Sequence, residues 1–372
     1  MTIWSIIFGV SAALTGLALV YVSWRFARFG FMSKIARGSR RAGFILSVAF
    51  VFLVFLLVSE TLNQINAAVV LLFLFFFWLL SDLLFAFVQK LRKKPFRRYY
   101  AGMAAILATM VYLSAGWYLN HNVWAKYYAF ETEKDIRDMR IVMFADSHIG
   151  TTFDGEGFAE HLQKMQELNP DIILIAGDYV DDDTSREQML KASKALGRLE
   201  TTYGVYLALG NHDKGYYSPA RRGFNGMELV EELQKNGVKV LLDQSELVGN
   251  MFYVLGRKDS SEKYRGGSRR EIGELTQNLN RDKFIIVMDH QPNDYQNLAA
   301  SGVDLVLSGH THGGQLFPFN KVGEWIGAND RTYGHERRGN TDFIVTSGLS
   351  DWAIKFKTGT KSEFVVVDIR KK

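Results

Sequence analysis

Long apolar blocks dominate the first third of the chain. There are four, at about residues 3–24, 42–59, 67–88 and 101–118, and Asp82 is the only charge inside them. A helix needs about 20 apolar residues to cross roughly 30 Å of hydrocarbon. A buried helix of a soluble domain is an alternative for any one block. Four in succession instead predict an all-α bundle of four transmembrane helices over residues 1–120.

The loops between the blocks predict the orientation of the bundle. Loops 25–41 and 90–98 are rich in Lys and Arg, whereas loop 59–66 has neither. Short basic loops stay in the cytoplasm. The amino terminus and everything after residue 118 are therefore expected outside it, with a juxtamembrane linker over 121–139. No basic residue precedes the first block, which favours an uncleaved span over a signal peptide.

Asp82 lies within the third apolar block, where a carboxylate is costly and suggests a function. It is also close to Lys90 and the basic loop that follows, so pairing with that loop or with another helix is the simpler interpretation. No other polar residue recurs across the four blocks. This favours a membrane anchor over a transporter.

From about residue 140 the pattern changes to short apolar runs separated by amphipathic segments. Each run predicts a buried strand and ends in a cluster of Asp, Asn or His residues. These clusters are 146–148, 177–181, 210–213, 289–292 and 309–315. Segments 158–169 and 186–200 have the spacing of helices that pack on a sheet. Alternating strands and helices predict an α/β domain over 140–372, with the five clusters at one edge.

Charge and cysteine content narrow the chemistry. The first 119 residues carry the whole positive excess, so the remaining chain is mildly acidic although the protein has a net charge of +5. Binding to a phosphate backbone needs basic charge on the binding domain, which disfavours nucleic acid as a partner. No cysteine is present, which excludes disulfides, thiolate ligands and a cysteine nucleophile. Nothing in the sequence indicates an obligate protein partner.

The cluster at 309–315 reads GHTHGGQ and places His310 and His312 two residues apart among glycines. Two surface histidines in a turn would explain this motif if it stood alone. The other clusters favour metal ligands instead. His121, His161 and His335 fall outside the clusters and are expected to be ordinary surface or interfacial residues.

Taken together, the motifs resemble the calcineurin-like metallophosphoesterase superfamily. The motifs DSH, GDYVD, GNHD, a separate His290 and GHTHGG occur in the order of that family. Tyr333, Gly334 and the segment TSGLSD are similar to its membrane-anchored bacterial branch. The following segment, 353–364, lacks the proline and arginine common there. The resemblance implies a four-layer αββα sandwich that holds two divalent metal ions.

The resemblance also implies which residues bind the metals. One metal would be held by Asp146, His148, Asp178 and His312. The other would be held by Asp178, Asn211, His290 and His310. His212 would be the catalytic histidine that binds neither metal.

Elementary chemistry supports these roles. Two cations that lie close together need a shared anion, and a carboxylate such as Asp178 can bridge them whereas a neutral imidazole cannot. Imidazole and carboxylate ligands suit manganese, iron or zinc better than magnesium or copper(I). Two such metals would activate a water molecule to attack phosphorus. His212 is then the general acid, with Asp213 expected to orient it. Asp181 either supports the site or caps the next helix.

The substrate is less constrained by the sequence. The basic segment 257–283, Arg221 and Arg222 either bind a second anionic group or are solvated. An extracytoplasmic domain favours phosphate mono- or diesters of lipids or cell-envelope polymers. A cytoplasmic domain would instead favour UDP-linked lipid precursors. A metal-binding regulatory protein without catalysis is an alternative of another class.

Overall fold

The computed structural model describes residues 3–372, with side chains from residue 9 onward. By contacts the chain divides into two compact units. The first runs to Trp117 and includes Ala353–Lys355, and the second contains Tyr118–Trp352 and Phe356–Lys372. The described helices, in chain order, are α1 (Ile3–Phe26), α2 (Gly30–Ile35), α3 (Arg40–Thr61), α4 (Gln64–Arg92), α5 (Tyr100–His121), α6 (Gly155–Gln166), α7 (Arg186–Leu196), α8 (Gly226–Lys235), α9 (Ile272–Thr276), α10 (Tyr295–Ala300) and α11 (Val322–Trp325).

Four helices of the first unit, α1, α3, α4 and α5, are long and apolar enough to cross a membrane. They confirm the four predicted blocks, and most extend by a few residues past the predicted ends. Many of their large apolar side chains are exposed, as expected for helices that face lipid. Small residues such as Ala18 and Ala105 pack around Trp78 in the interior of the bundle. The short helix α2 lies within the first basic loop.

Asp82, the charge within the third apolar block, binds side chains from outside its own helix. It forms an ion pair with Arg25 of α1 and accepts a hydrogen bond of 2.7 Å from the Tyr21 hydroxyl. The Tyr99 hydroxyl also donates to it. A carboxylate in an apolar bundle is tolerated when it is paired and hydrogen-bonded in this way. The contacts support the structural interpretation of Asp82, with Arg25 rather than Lys90 as its ionic partner.

The second unit is built on two six-stranded sheets. Its strands are β1 (Val123–Thr132), β2 (Met139–Phe144), β3 (Ile172–Ala176), β4 (Val205–Ala208), β5 (Lys239–Val240), β6 (Gln244–Val248), β7 (Phe252–Gly256), β8 (Phe284–Met288), β9 (Leu305–Ser308), β10 (Gly334–Arg338), β11 (Thr341–Val345) and β12 (Ser362–Lys371). The first sheet has the order β1-β12-β2-β3-β4-β5, and the second β10-β11-β9-β8-β7-β6. In each sheet the strands that precede the predicted clusters run parallel, so their carboxyl ends share one edge.

Three apolar cores give the domain four layers. One core joins the inner faces of the two sheets and contains side chains such as Leu174 and Ile286. A second core packs α6, α7 and α8 on the outer face of the first sheet. A third packs α9 and α10 on the outer face of the second sheet. This arrangement confirms the predicted αββα sandwich.

Residues 121–139, expected to form a linker, contain the edge strand β1. It runs parallel to β12 from Val123, opposite Ser362, to Thr132, opposite Lys371. Its aromatic residues resemble those of a membrane interface, and neither of its faces is fully buried. The sequence of this strand lacks the regular alternation of buried apolar and exposed polar residues by which a strand is distinguished from a linker. The linker prediction is therefore wrong for this segment.

Candidate metal centre

The loops that follow five strands bring the predicted metal ligands to one edge of the sandwich. The strands β2, β3, β4, β8 and β9 end at residues 144, 176, 208, 288 and 308. The predicted ligands follow within a few residues of these ends: Asp146, His148, Asp178, Asn211, His290, His310 and His312. All are buried except His310, which is partly exposed.

Six of the seven ligands form two groups in the structure. Ligand atoms of Asp146, His148 and His312 lie within 4.8 Å of one another, and so do those of Asp178, His290 and His310. The division is the one that the sequence predicts for two metals.

Asp178 faces both groups. Its Oδ2 atom lies 3.0 Å from Nε2 of His290 and 3.7 Å from Nε2 of His148. Asn211 joins the second group, because its Oδ1 atom lies 3.1 Å from the same His290 nitrogen. The Asp178 carboxylate therefore lies within reach of imidazoles of both groups.

The backbone at the ligands is strained. Asp146, His148, Asp178, His310 and His312 all have positive φ, between 36° and 71°. Residues other than glycine rarely adopt this region, and such strain concentrates at functional sites because the surrounding structure enforces it. Gly309 permits a close approach beside them, since a Cβ atom there would lie 2.5 Å from Oδ2 of Asp146. The fold is built to hold these side chains together.

Hydrogen bonds from Nδ1 orient two of the imidazoles. The Nδ1 of His290 lies 2.8 Å from the carbonyl of Ala176, and the Nδ1 of His312 lies 3.2 Å from the carbonyl of Ser350. A carbonyl only accepts hydrogen bonds, so Nδ1 carries the proton in both rings. This leaves each Nε2 toward the ligand cluster, the arrangement that metal-binding histidines usually have.

The pKa values reflect a buried, strongly charged site. Burial opposes ionisation of Asp178, but His290 and His212 outweigh it and hold the pKa of Asp178 well below its usual range. Burial raises the pKa of Asp146 to about 6. Burial and the charge of His290 lower the pKa of His310 to about 4. Burial opposes protonation of His290, but Asp178 outweighs it and holds the pKa of His290 well above its usual range. Histidine binds a metal in its neutral form, so a metal ion at this site would displace that proton.

The donor set fits two divalent metals. Among the described residues, Nε2 of the fully buried His148 has no hydrogen-bond partner. Buried polar atoms without a partner are rare and need an explanation, and a metal ion would provide one. Oxygen and nitrogen donors without thiolate suit manganese, iron or zinc.

The residues that match known protein families include the candidate metal ligands. Residues 139–314 match the profile of the calcineurin-like phosphoesterase family. An uncharacterized metallophosphoesterase of Aquifex aeolicus is 34% identical over 195 residues, which are 51% of this chain and 70% of that protein. The chain therefore belongs to the calcineurin-like phosphoesterase family. This confirms the resemblance drawn from the motifs.

Two other relatives of this calcineurin-like phosphoesterase have lower sequence identity, and the match covers a smaller share of their length. One is an uncharacterized metallophosphoesterase of Campylobacter jejuni, 30% identical over 63% of this chain and 60% of its own length. The other is named transmembrane protein with metallophosphoesterase domain, from Danio rerio, and is 28% identical over 64% of this chain and 54% of its own length. The match thus spans little more than half of these two relatives.

His212, the catalytic histidine expected of a calcineurin-like phosphoesterase, lies beside the first group of ligands. Its ring is 5.0 Å from that of His148, and its backbone N–H donates to Oδ1 of Asp178 at 2.8 Å. Burial lowers the pKa of His212, while Asp178 and Asp181 oppose this shift.

Asp213 does not orient the ring of His212, and this expectation is corrected. Its carboxylate accepts hydrogen bonds from the backbone N–H groups of Asp178, Val180 and Gly210, at 2.7 to 3.0 Å. These bonds fix the two loops to each other. The carboxylate near His212 is instead that of Asp181.

Asp181 contacts both His148 and His212. Its Oδ2 lies 3.4 Å from Nδ1 of His148 and 3.9 Å from Nδ1 of His212. The next helix, α7, is capped by Ser185, so the alternative role of Asp181 as its cap is wrong.

For the basic segment 257–283, Arg221 and Arg222, the sequence left open either an anionic ligand or solvation, and several of these residues instead serve the fold. Arg257 is buried and pairs with Asp289 and Asp294, and Arg269 also binds Asp289. Arg222 donates to the backbone carbonyl of Asp213 at 2.8 Å. These three guanidinium groups are thus neither solvated nor open to a substrate. Arg221 is exposed and pairs with Asp183.

Two aromatic residues at the site were not predicted. The rings of Tyr216 and Trp352 lie 5.0 and 5.4 Å from the ring of His212. Both side chains are about half exposed, at 54% and 47%. Each follows a conspicuous motif, GNHD or TSGLSD, but nothing in the sequence indicates that the two converge.

Proposed function

We propose that the protein is a metal-dependent phosphoesterase anchored in a membrane by its four apolar helices. The single observation that carries the proposal is the position of Asp178 between two groups of metal-binding side chains. When bound, the two divalent ions would supply positive charge to the phosphoryl group and activate a water molecule as the nucleophile. Manganese is the ion we favour, with iron or zinc as alternatives.

The side chains of the protein would bind the two ions and supply the proton for the reaction. Asp146, His148 and His312 would hold one ion, Asn211, His290 and His310 the other, and Asp178 both. His212 would donate a proton to the oxygen of the departing alcohol, since its ring lies 5.0 Å from that of the proposed ligand His148. The charge of Asp181, whose Oδ2 lies 3.9 Å from Nδ1 of His212, would favour the protonated form of that ring.

For the substrate, we propose a phosphate mono- or diester of a lipid or cell-envelope polymer. The two half-exposed aromatic rings next to His212 support this, because the departing alcohol would lie beside the proton donor. Apolar groups gain about 1 kcal/mol or more from contact with such rings. The distribution of basic loops supports an extracytoplasmic domain, with the amino terminus on the same side.

The activity can be tested on the full chain in detergent micelles. We expect hydrolysis of p-nitrophenyl phosphate or bis-p-nitrophenyl phosphate with Mn²⁺, loss with a chelator, and loss in Asp178→Asn and His212→Ala. His335→Ala is the matched control, because His335 pairs with Asp342 away from the ligand groups. Activity that survives Asp178→Asn would contradict the mechanism. Two bound metals without hydrolysis would indicate a regulatory protein.

The orientation can be tested separately. Alkaline phosphatase fused to the carboxyl terminus is active only outside the cytoplasm, and a green fluorescent protein fusion fluoresces inside it. We expect an active phosphatase fusion. The opposite result would move the domain to the cytoplasm, where UDP-linked lipid precursors become the favoured substrates.

A further inference from the structure

Lys357 is a lysine whose side chain is fully buried in the second unit. Its Nζ donates to the carbonyls of Ser347, Gly348 and Ser350, at 2.7, 3.3 and 3.0 Å. An ammonium group has three donors, and all three have an acceptor here. Burying a charge is expensive unless it is hydrogen-bonded in this way. Lys357 thus ties together the three backbone carbonyls that it binds.

The carbonyls that Lys357 binds belong to the turn 347–350, which follows β11. On one side the turn is bonded to the loop of the first metal ligand. The backbone N–H of Leu349 donates to the carbonyl of Ala145 at 2.9 Å, and that of Ser350 donates to the carbonyl of Asp146 at 3.0 Å. Gly348 packs so closely on Asp146 that a Cβ atom would lie 2.8 Å from the Asp146 Cβ.

On its other side the turn binds His312. The carbonyl of Ser350 accepts both from Nζ of Lys357 and from Nδ1 of His312. The bond from Nδ1 determines which nitrogen of His312 is free to bind a metal, and it sets the direction of the ring. Movement of this carbonyl would therefore turn His312 and shift Asp146 together.

We infer that Lys357 is a positioning residue for the half of the metal centre formed by Asp146, His148 and His312. It fixes the turn 347–350, whose Ser350 carbonyl holds the His312 ring with Nε2 toward the cluster. Among the described residues, neither His290 nor His310 is hydrogen-bonded to this turn, and His310 is linked to it only through its backbone N–H to Asp146, so we expect the other half to be much less sensitive to Lys357. The inference rests on the proposed metal centre but not on hydrolysis.

The test is metal binding to the full chain in micelles, with Lys357→Met as the principal variant. Met has a similar length and no donor. Isothermal titration with Mn²⁺ should show two sites in the wild type. In Lys357→Met one site should keep its affinity and the other should weaken by about 10- to 100-fold, the usual effect of removing a group that supports a metal ligand. The magnetic coupling between two Mn²⁺ ions, seen by electron paramagnetic resonance, should give way to a single-ion signal.

Lys134→Met is the matched control. Lys134 is partly buried and binds Asp304 and the carbonyl of Lys283, outside the metal loops. It should lower the melting temperature without changing either metal site. If Lys357→Met retains two sites of wild-type affinity, or if both variants weaken metal binding alike, the inference is overturned.

Lys357→Gln keeps the test decisive if Lys357→Met does not fold. Its amide has two donors on a shorter chain, so we expect an intermediate loss at one site. Wild-type affinity at both sites in Lys357→Gln would overturn the inference. A wild-type protein that binds two ions but hydrolyses no phosphate ester would contradict the proposed function. The metal titration would still decide whether Lys357 positions the metal ligands.

Discussion

The Oδ2 atom of Asp181 lies 3.9 Å from Nδ1 of His212, while it also lies 3.4 Å from Nδ1 of His148. One buried carboxylate thus faces the ring of the proposed proton donor and that of a proposed metal ligand. It accepts a further hydrogen bond from the backbone N–H of Asp183 through its other oxygen, which fixes its orientation. Asp181 therefore links the two functions of the site.

We expect Asp181→Asn to lower kcat by about 10- to 100-fold with little change in KM, because the neutral amide no longer favours the protonated ring of His212. The measurement is steady-state kinetics on p-nitrophenyl phosphate with saturating Mn²⁺. Asp183→Asn is the control, since Asp183 is exposed and pairs with Arg221. Equal activity of the two variants would contradict the role of Asp181.

Asp213 should behave as a structural residue. Its carboxylate accepts three backbone hydrogen bonds, and Asn would place N–H groups against some of these donors. We expect Asp213→Asn to destabilise the fold by about 2–4 kcal/mol, the range for disrupting a buried network. Denaturant unfolding followed by tryptophan fluorescence measures this. A large loss of kcat with unchanged stability would restore its predicted role beside His212.

The difference between Asp213 and Asp181 illustrates what sequence could predict. The strand ends and their convergence on one edge were predictable, because apolar runs followed by Asp, Asn or His mark the edge of an α/β sheet. The four-layer arrangement and the proposed ligand set came from the resemblance of the motifs to a known family. Adjacency in sequence suggested Asp213 as the partner of His212, but the chain turns so that its carboxylate binds the preceding loop. Lys357 and Trp352 also depend on contacts between distant loops. Such contacts follow from tertiary packing and have no local pattern.

Gly309 should be intolerant of a side chain. A Cβ atom there would meet the Asp146 carboxylate and the Cβ of Ala145, each at 2.5 Å. We expect Gly309→Ala to cost about 1–3 kcal/mol of stability through overpacking and to weaken Mn²⁺ binding at the site that contains Asp146. Titration calorimetry and thermal melting measure the two effects.

The control for this glycine is Gly273→Ala in α9. A Cβ atom at Gly273 has nothing within 4 Å, so alanine should be neutral or slightly stabilising there. If Gly309→Ala binds both metals as tightly as Gly273→Ala does, the close packing at Asp146 does not matter for the site.

His161 should make stability depend on pH. It lies on α6 against the Phe153 ring, and burial with the charge of Lys164 lowers its pKa to about 4. The unfolded chain takes up this proton near pH 6.5, whereas the folded chain does so only near pH 4. Protonation thus favours unfolding, and the free energy of unfolding falls as the pH drops from 6.5 to 4.

The loss attributable to His161 is about 1–2 kcal/mol once partial exposure is allowed for. His161→Gln has no group that titrates in this range and should lose less stability than the wild type. Urea unfolding at pH 7 and pH 4.5, with a chelator in both samples to remove metal effects, gives the comparison. Parallel loss in the two proteins would show that His161 does not titrate as described.

Trp352 should influence which alcohols the enzyme releases. Its ring lies 5.4 Å from the ring of His212 and is half exposed, so an apolar alcohol beside the proton donor would contact it. A tenfold preference corresponds to about 1.4 kcal/mol, which is within reach of one aromatic contact. We expect Trp352→Ala to lower kcat/KM about tenfold for a phosphate ester of a long-chain alcohol and much less for glycerol phosphate.

Trp325→Ala, at an exposed ring that does not contact His212, should change kcat/KM for neither substrate. If Trp352→Ala lowered kcat/KM equally for both substrates, the indole would only support His212. Trp352 would then give no support to an apolar substrate.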